Sequence, residues 1–395
     1  MTLKNFPAVA LALCSALLLS ACSTVEKTQP SVKESKVTFI EHRFSELPPS
    51  NADSWTAALE AFKHSCSAAM GKDPKWINVC QIASSTKLSE AQFFFRQNFT
   101  PWQIRIDDIS NGKLMSSKST GLMTGYYEPL LRGSRIKAEP YIYPIYGIPD
   151  DLLIIDLAEI HPQLKGLRLR GKLEGRRVVP YDTRGVIQNR TDMDKWAIAW
   201  VDDPIASFFL HIQGSGRILL EDGSYLRVGF ADQNGYRYRS IGNWLVRQGY
   251  LKSHELSMQR ITSWAKQNPT RVNEALAQNP SYIFFAERTS PADLGPVGAQ
   301  GVPLTPMASV AVDPRYWRMG TPFIVDIKQD QPQLAFTRPV IAQDTGGAIK
   351  GIIRFDFFWG FGDSAGLTAG RQKSQANAWV LVPKGLHPTD ICRIR

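Results

Sequence analysis

The sequence predicts a mainly β protein with helices, large enough for two domains. Three observations predict it. From Ile104 onward most of the chain falls into short apolar or alternating runs broken by Gly, Pro and Asp, as strands with turns do. Helical spacing is confined to about 46–100 and 239–279. Behind the first 45 residues roughly 350 remain, more than one ordinary core uses.

The first residues set the compartment. One Lys precedes an apolar run from Phe6 to Leu19, too short to span a bilayer comfortably and flanked as a secretory signal is. Leu19-Ser20-Ala21-Cys22 resembles a bacterial lipobox. That resemblance implies a lipoprotein signal peptide over 1–22 and a lipid anchor on Cys22. Ser23 stands where an inner-membrane retention signal has Asp, which favours an outer-membrane lipoprotein facing the periplasm. Residues 23–45 are polar until Val37 and read as a flexible tether.

The formal charge is +10, and loss of the signal with its single Lys4 leaves +9. A basic surface suits an anionic polymer or a lipid surface; in the periplasm peptidoglycan is the expected partner and nucleic acid is not. The same charge also fits basic residues spread over an ordinary surface. Cys66 and Cys80 are close in sequence in an oxidising compartment, which suits a disulfide between them with Cys392 left over; the two other pairings stay open. Six scattered histidines and no CxxC or HExxH pattern give no metal site, and no cofactor is expected. A monomer is the default.

In the first helical segment Trp55, Leu59, Phe62 and Cys66 line one face, and Ser89 with Gln92 reads as a capping box before AQFFFRQNF. LMTGYYEPLL, AEPYIYPIYGI, RRVVPYDTRGVI and SYLRVGFADQNG read as strands. SIGNWLVRQGYL, SMQRITSWAKQN and TRVNEALAQN are helical, punctuated by Asn268-Pro269 and Asn279-Pro280. Strands resume with SYIFFAE and continue through ASVAVDP, TPFIVDI, RPVIAQD, IKGIIRFDFFWG and NAWVLVP.

Four stretches combine glycine turns with polar or aromatic groups, as a pocket approached by backbone requires: TGYYEP (124–129), HIQGSGR (211–217), SVAVDPRYWRMGTP (309–322) and AQDTGGAIKGIIRFDFFWGFGDSAG (342–366). Each alone also fits an ordinary turn: Gln213-Gly214-Ser215-Gly216 a plain hairpin, Tyr126 to Pro129 a strand end. In the last stretch a strand puts Ile352, Arg354, Asp356 and Phe358 on one face. Apolar neighbours would desolvate Asp356 and keep it protonated near neutrality, the state a general acid needs. Asp344 and Asp363 could feed the same site. All three aspartates equally suit turns that close glycine loops.

These four stretches, in this order behind a lipobox, resemble the membrane-bound lytic murein transglycosylase A family over about residues 100–384. The resemblance implies a double-psi β-barrel, named in its C-terminal part for three aspartates and interrupted by an inserted second β-barrel-like domain. Its boundaries here would be 46–130 plus 288–395 for the barrel and 131–287 for the insertion, with a glycan groove between them. It implies cleavage of the β-1,4 bond between N-acetylmuramic acid and N-acetylglucosamine with formation of a 1,6-anhydromuramoyl end. A usual glycosidase needs two carboxyl groups. Here the muramoyl O6 hydroxyl is the nucleophile, and one carboxyl serves as acid and then base. Asp356 matches the acid, Asp344 is its rival, and Asp313 and Asp363 are supporting carboxylates. Thr124, Tyr126, Tyr127, Glu128, Gln213, Ser215, Gly216, Gly346, Gly347 and Lys350 would hold the glycan. Cell-wall synthesis or divisome proteins are the protein partners it leaves open. Competing readings are a non-catalytic peptidoglycan-binding lipoprotein and a hydrolytic muramidase; an amidase lacks its metal or nucleophile pattern.

Overall fold

The computed structural model describes residues 33–111, 113–289, 291 and 294–393. The expected signal peptide, Cys22 and the first part of the tether lie outside the described residues. The second part of the tether is not one. Lys33–Glu41 forms strand β1, antiparallel to β2 (Phe99–Ser110) in unbroken register from Lys33↔Ser110 to Glu41↔Trp102. Val37 and Phe39, two apart, pack against the main core, and Phe44 joins them. This alternation is masked when the segment is read by its average polarity.

Helix α1 (Ala52–Ser67) starts at Asn51, whose side chain accepts the Ser54 N–H. It buries Trp55, Leu59 and Phe62, the face the spacing predicts. Helices α2 (Ile77–Ser85) and α3 (Ala91–Asn98) pack beside it, and Phe62 meets the rings of Trp76, Phe94, Phe95 and Phe99. The expected Ser89–Gln92 box does not form; Glu90 instead accepts the Lys87 N–H at 3.4 Å and α3 begins one residue later. Cys66 is bonded to Cys80, joining α1 to α2, while Cys392 is buried near the other end of the chain.

The strands follow in chain order. After β3 (Lys113–Lys118) and β4 (Thr120–Glu128) come β5 (Leu130–Ser134), β6 (Tyr143–Tyr146), β7 (Leu153–Ile155), β8 (Leu169–Glu174), β9 (Arg177–Pro180) and β10 (Ala197–Val201). Then come β11 (Ser215–Leu220), β12 (Tyr225–Gln233) and β13 (Ile283–Glu287). The last are β14 (Ser309–Ala311), β15 (Pro322–Gln329), β16 (Leu334–Asp344), β17 (Arg354–Phe361) and β18 (Lys373–Pro383).

The first sheet runs β1-β2-β18-β15-β16-β14-β17-β4, and β4 pairs back onto β18, so the six strands from β18 to β4 close a ring. β5, β6 and β10–β13 form a second sheet, and β7–β9 a third. The chain passes from the first sheet to the second at Pro129 and returns between Glu287 and Ser309. The parallel β4–β17 pairing brings backbones very close: a Cβ on Gly121 would lie 1.8 Å from the Ile353 carbonyl oxygen, so only glycine fits there.

Besides the single turn Arg184–Ile187 within RRVVPYDTRGVI, two longer helices interrupt segments whose pattern predicts strands. Pro204–Gln213 is capped by Asp203, which accepts from Ile205 and Ala206 N–H, and Pro204 fills its first turn. Its run SFFLHI is apolar all round, so periodicity does not separate it from a strand; Asp-Pro was the start signal. HIQGSGR is therefore a helix end followed by β11, not a hairpin. The second is Gly362–Ala369, in the glycine-rich end of the last stretch.

The disulfide closes a loop with sequence separation 14. Replacing Cys66 and Cys80 with Ala is expected to cost about 3 kcal/mol, read as a lower urea midpoint with an unchanged fold by circular dichroism.

Candidate active site

The ring of strands places three predicted residues, Thr124, Asp356 and Asp344, in one lateral row with Ala311. Thr124 on β4 registers with Asp356 on β17, Asp356 with Ala311 on β14, and Ala311 with Asp344 on β16. Register partners point to the same face, so both carboxyls flank Ala311. Strand spacing puts their Cα atoms about 10 Å apart. Ala311 ends at Cβ and is 3% exposed, so the span between the two carboxyls is covered by the apolar side chains packed over it. Tyr126, Leu304, Ala311, Ile349 and Phe358 pack as an apolar cluster on this face, with the Tyr126 and Phe358 rings 5.2 Å apart.

Asp356 keeps part of its surface exposed. Burial nevertheless dominates its titration and pushes its pKa up to about 6, with a smaller push from the Asp344 charge, against the Thr124 hydrogen bond and the Arg354 charge. The Thr124 hydroxyl donates to Asp356 Oδ1 at 2.5 Å and accepts from the Arg354 guanidinium at 2.9 Å. This chain fixes a direction: Oδ1 is an acceptor, so a proton on the carboxyl resides on Oδ2. Arg354 had a place on the predicted face but no role; its i, i+2 spacing from Asp356 was the available signal.

Asp344 is differently held. Burial pushes its pKa up, opposed by the N–H groups of Ala299 and Thr345 and by the Tyr126 hydroxyl. Ala299 N–H donates to Oδ1 at 3.0 Å and Tyr126 to Oδ2 at 3.1 Å. Burial, then Asp344 and Asp356, push Tyr126 well above the usual phenol range, so it stays a donor. A buried network fixes the backbone just before Asp344. Ser309 donates to Gln343 at 2.5 Å, and Gln343 donates to the Ala61 carbonyl at 2.7 Å and to Ser65 at 2.9 Å. Nothing in the sequence signalled Ala299 or this network, since their partners lie 34 residues or more away in the chain.

The remaining predicted residues divide. Gly346, Gly347 and Lys350 lie on the loop after Asp344; Gly347 and Lys350 are exposed, and Ile349 tucks under the site. Asp313 is fully buried and bonded by the Arg315 side chain at 2.6 Å and the Gly351 N–H at 2.8 Å. Burial raises its pKa, but these bonds outweigh burial and hold it below the usual range. It braces the loop instead of supplying free charge. Asp363 is exposed in the first turn of Gly362–Ala369. Burial and its charge push the Tyr127 phenol up to about 12. Tyr127 packs against Gly366, on the face of β4 away from Asp356, and its N–H donates to Gln213 Oε1 at 3.1 Å.

Two residues expected to touch a ligand are otherwise occupied. Glu128 is 1% exposed; Arg217 donates to one of its oxygens at 2.8 Å and Arg227 to the other at 3.3 Å. These arginines come from β11 and β12, so Glu128 clamps the first sheet to the second. Gly216 is buried where a Cβ would lie 2.4 Å from Leu210, so it packs the helix Pro204–Gln213 against β11. Ser215 opens β11 beside Gly229 and is partly exposed.

Residues 122–286 match the MltA-specific insert domain, and residues 308–382 match the 3D domain. A crystal structure of MltA from Neisseria gonorrhoeae superimposes with a TM-score of 0.76 at 36% identity, covering 91% of this chain and 96% of that one. The membrane-bound lytic murein transglycosylase A of Escherichia coli K12 is 34% identical over 266 residues, 65% of this chain. That match spans 64% of the E. coli protein's length, just under two thirds. The crystal structure of E. coli MltA with bound chitohexaose matches with a TM-score of 0.65 at 26% identity, covering 87% of this chain and 94% of that one. From the ring of strands to the identity carried across nearly the whole neisserial structure, the chain belongs to the MltA family.

Proposed function

We propose that the protein is a lytic transglycosylase of peptidoglycan. It breaks the bond between muramoyl C1 and the O4 of the following N-acetylglucosamine. Asp356 Oδ2 gives its proton to the departing O4. The muramoyl O6 hydroxyl then bonds to C1 and returns a proton to Asp356, so no water is consumed and a 1,6-anhydro end forms. The observation that carries this reading is a carboxyl titrating at about 6, its proton directed away from Thr124, in a row whose second carboxyl is already engaged. A hydrolase would need Asp344 to activate water, yet Asp344 spends both oxygens on Tyr126 and Ala299. Asp344 instead raises the acid's pKa and orients Tyr126. The chitohexaose bound by the E. coli relative supports a β-1,4-linked amino-sugar chain as the ligand.

In this reading the ring of strands is a double-psi barrel, 131–287 is an inserted domain, and the glycan lies between them. The partly exposed Asp356 face, Lys350 and Ser215 border that groove. The chain is held at the outer membrane by lipid on Cys22, facing the periplasm. Among the described residues no helix is long and apolar enough to cross a membrane.

Incubated with purified sacculi, the enzyme is expected to release muropeptides one water lighter than hydrolytic products, and Asp356→Asn to lose at least about 10³-fold in rate. Reducing-end products would sink the mechanism; binding without release would leave a wall-binding lipoprotein. The same substitution is expected to stabilise the fold at neutral pH. A carboxyl whose native pKa exceeds its unfolded value lets stability fall as pH rises through about 4 to 6, and Asn removes that loss. A gain on the order of 2 kcal/mol at pH 7, vanishing near pH 4, is expected from thermal melts.

Activity is expected to fall about tenfold per pH unit above about 6, as Asp356 loses its proton. Thr124→Val removes a hydrogen bond to the carboxylate and moves this limb to higher pH. Asp344→Asn removes a neighbouring negative charge and moves it lower. Limbs that do not move in opposite directions would assign the titration to another group.

A further inference from the structure

The outer part of β1, β2 and β3 forms a three-stranded ribbon that leaves the body of the first sheet. β2 pairs with β18 only over Phe99–Gln103, whereas β1 follows it out to Ser110 and β3 flanks it over Ile106–Ser110. Ile104 is buried and Ile106 with Val37 still packs on the core, so the four residues Asp107–Ser110 project the ribbon by about 14 Å. Its tip is the β2–β3 turn, where Asn111 takes φ 49°. Lys33 registers with Ser110, and Ser110 with Lys113, so β1 begins at this same tip.

The chain before β1 therefore reaches the tip first. Ten residues, 23–32, separate Cys22 from Lys33. With lipid on Cys22, this length keeps Lys33 within about 40 Å of the anchor. Just past the turn, at the start of β3, stand two neighbouring large apolar side chains, Leu114 at 61% and Met115 at 69% exposed, with Leu114 in register with Ile109 and the register irregular beside it. The net charge of the outer ribbon is only +2: Lys33, Lys36, Arg105, Lys113 and Lys118 against Glu34, Asp107 and Asp108, with Arg105 4.0 Å from Asp107. Attraction to anionic headgroups is thus weak, and apolar insertion is the available contact.

We infer that the β2–β3 turn is a membrane-contact element: Leu114 and Met115 enter the lipid surface that carries the anchor. This rests on the lipidation of Cys22 proposed above. Each side chain contributes only part of its full burial value, too little to bind from solution. The tether supplies the high local concentration that makes so weak a contact count. The ribbon then stands between membrane and body as a spacer.

The test uses the full lipidated chain in phosphatidylethanolamine–phosphatidylglycerol vesicles. An environment-sensitive thiol label is placed at Met115→Cys or, as control, at Leu173→Cys on β8, 61% exposed in the third sheet. The label at 115 is expected to shift to the blue and to be quenched about twofold by lipids brominated near the headgroup, with no change at 173. The quenching is expected to persist in high salt. A protein that floats with the vesicles while label 115 stays water-like overturns the inference and leaves the anchor standing. Equal quenching at both positions, or quenching abolished by salt, also overturns it. A protein that does not float, and matches Cys22→Ser, removes the anchor and the inference with it.

Discussion

The parallel pairing of β4 with β17 is the constraint on which the site depends. It sets Thr124 beside Asp356 and Tyr126 beside Phe358, and it exists only because Gly121 lets the two backbones meet. From it follow the short Thr124–Asp356 hydrogen bond, the Arg354 contact that polarises Thr124, and the apolar wall that raises the acid's pKa. β14 adds the third position of the row with the smallest side chain that keeps a strand. A larger residue at 311 would press on the apolar cluster packed over it. The raised pKa and the direction of the proton thus come from one strand register instead of from separately placed loops.

A second constraint holds the two halves of the molecule together. Glu128 ends β4, and Pro129 alone separates it from β5 in the second sheet. Its buried carboxylate receives Arg217 and Arg227, whose other donors reach the carbonyls of Leu294 and Pro291 on the returning segment. Arg217 also stacks 4.2 Å over the Phe361 ring at the end of β17. One ionic cluster therefore ties the outgoing connection, the return and the strand that carries Asp356. Losing one partner of such a buried set costs about 3–5 kcal/mol, because the others are left uncompensated.

Most of the strands, the face of α1 and the neighbourhood of Asp344 and Asp356 were legible because each has a local pattern, whereas Asp363, expected beside them, is exposed in the first turn of Gly362–Ala369. Asp356 stood out for its apolar neighbours, and those neighbours do raise its pKa. The family motifs pointed to Thr124 and Tyr126 as ligand contacts, whereas the structure engages them with the two aspartates. Glu128 and Gly216 belonged to the same motifs but are spent on holding the sheets together. Recurrence of a residue in a motif marks constraint, and packing is a constraint as strict as chemistry. The helix Pro204–Gln213 was missed because an all-apolar run carries no period. Ala299, Gln343 and the two clamping arginines were illegible because their partners are distant in the chain, and no local pattern encodes a distant partner.

The long excursion of the chain between β4 and β17 has a consequence in time. Thr124 and Asp356 are 232 residues apart. β4 is bordered by β17 on one side and β18 on the other, so neither of its edges is covered until nearly the last residue has been made. The segment 130–287 has its own sheets and can compact early, which shortens the effective loop to be closed. The barrel cannot. A chain interrupted between Glu287 and β17 has the whole of 130–287 and lacks Asp356. Under the proposed function, cleavage competence would then be the last thing synthesis of the chain produces.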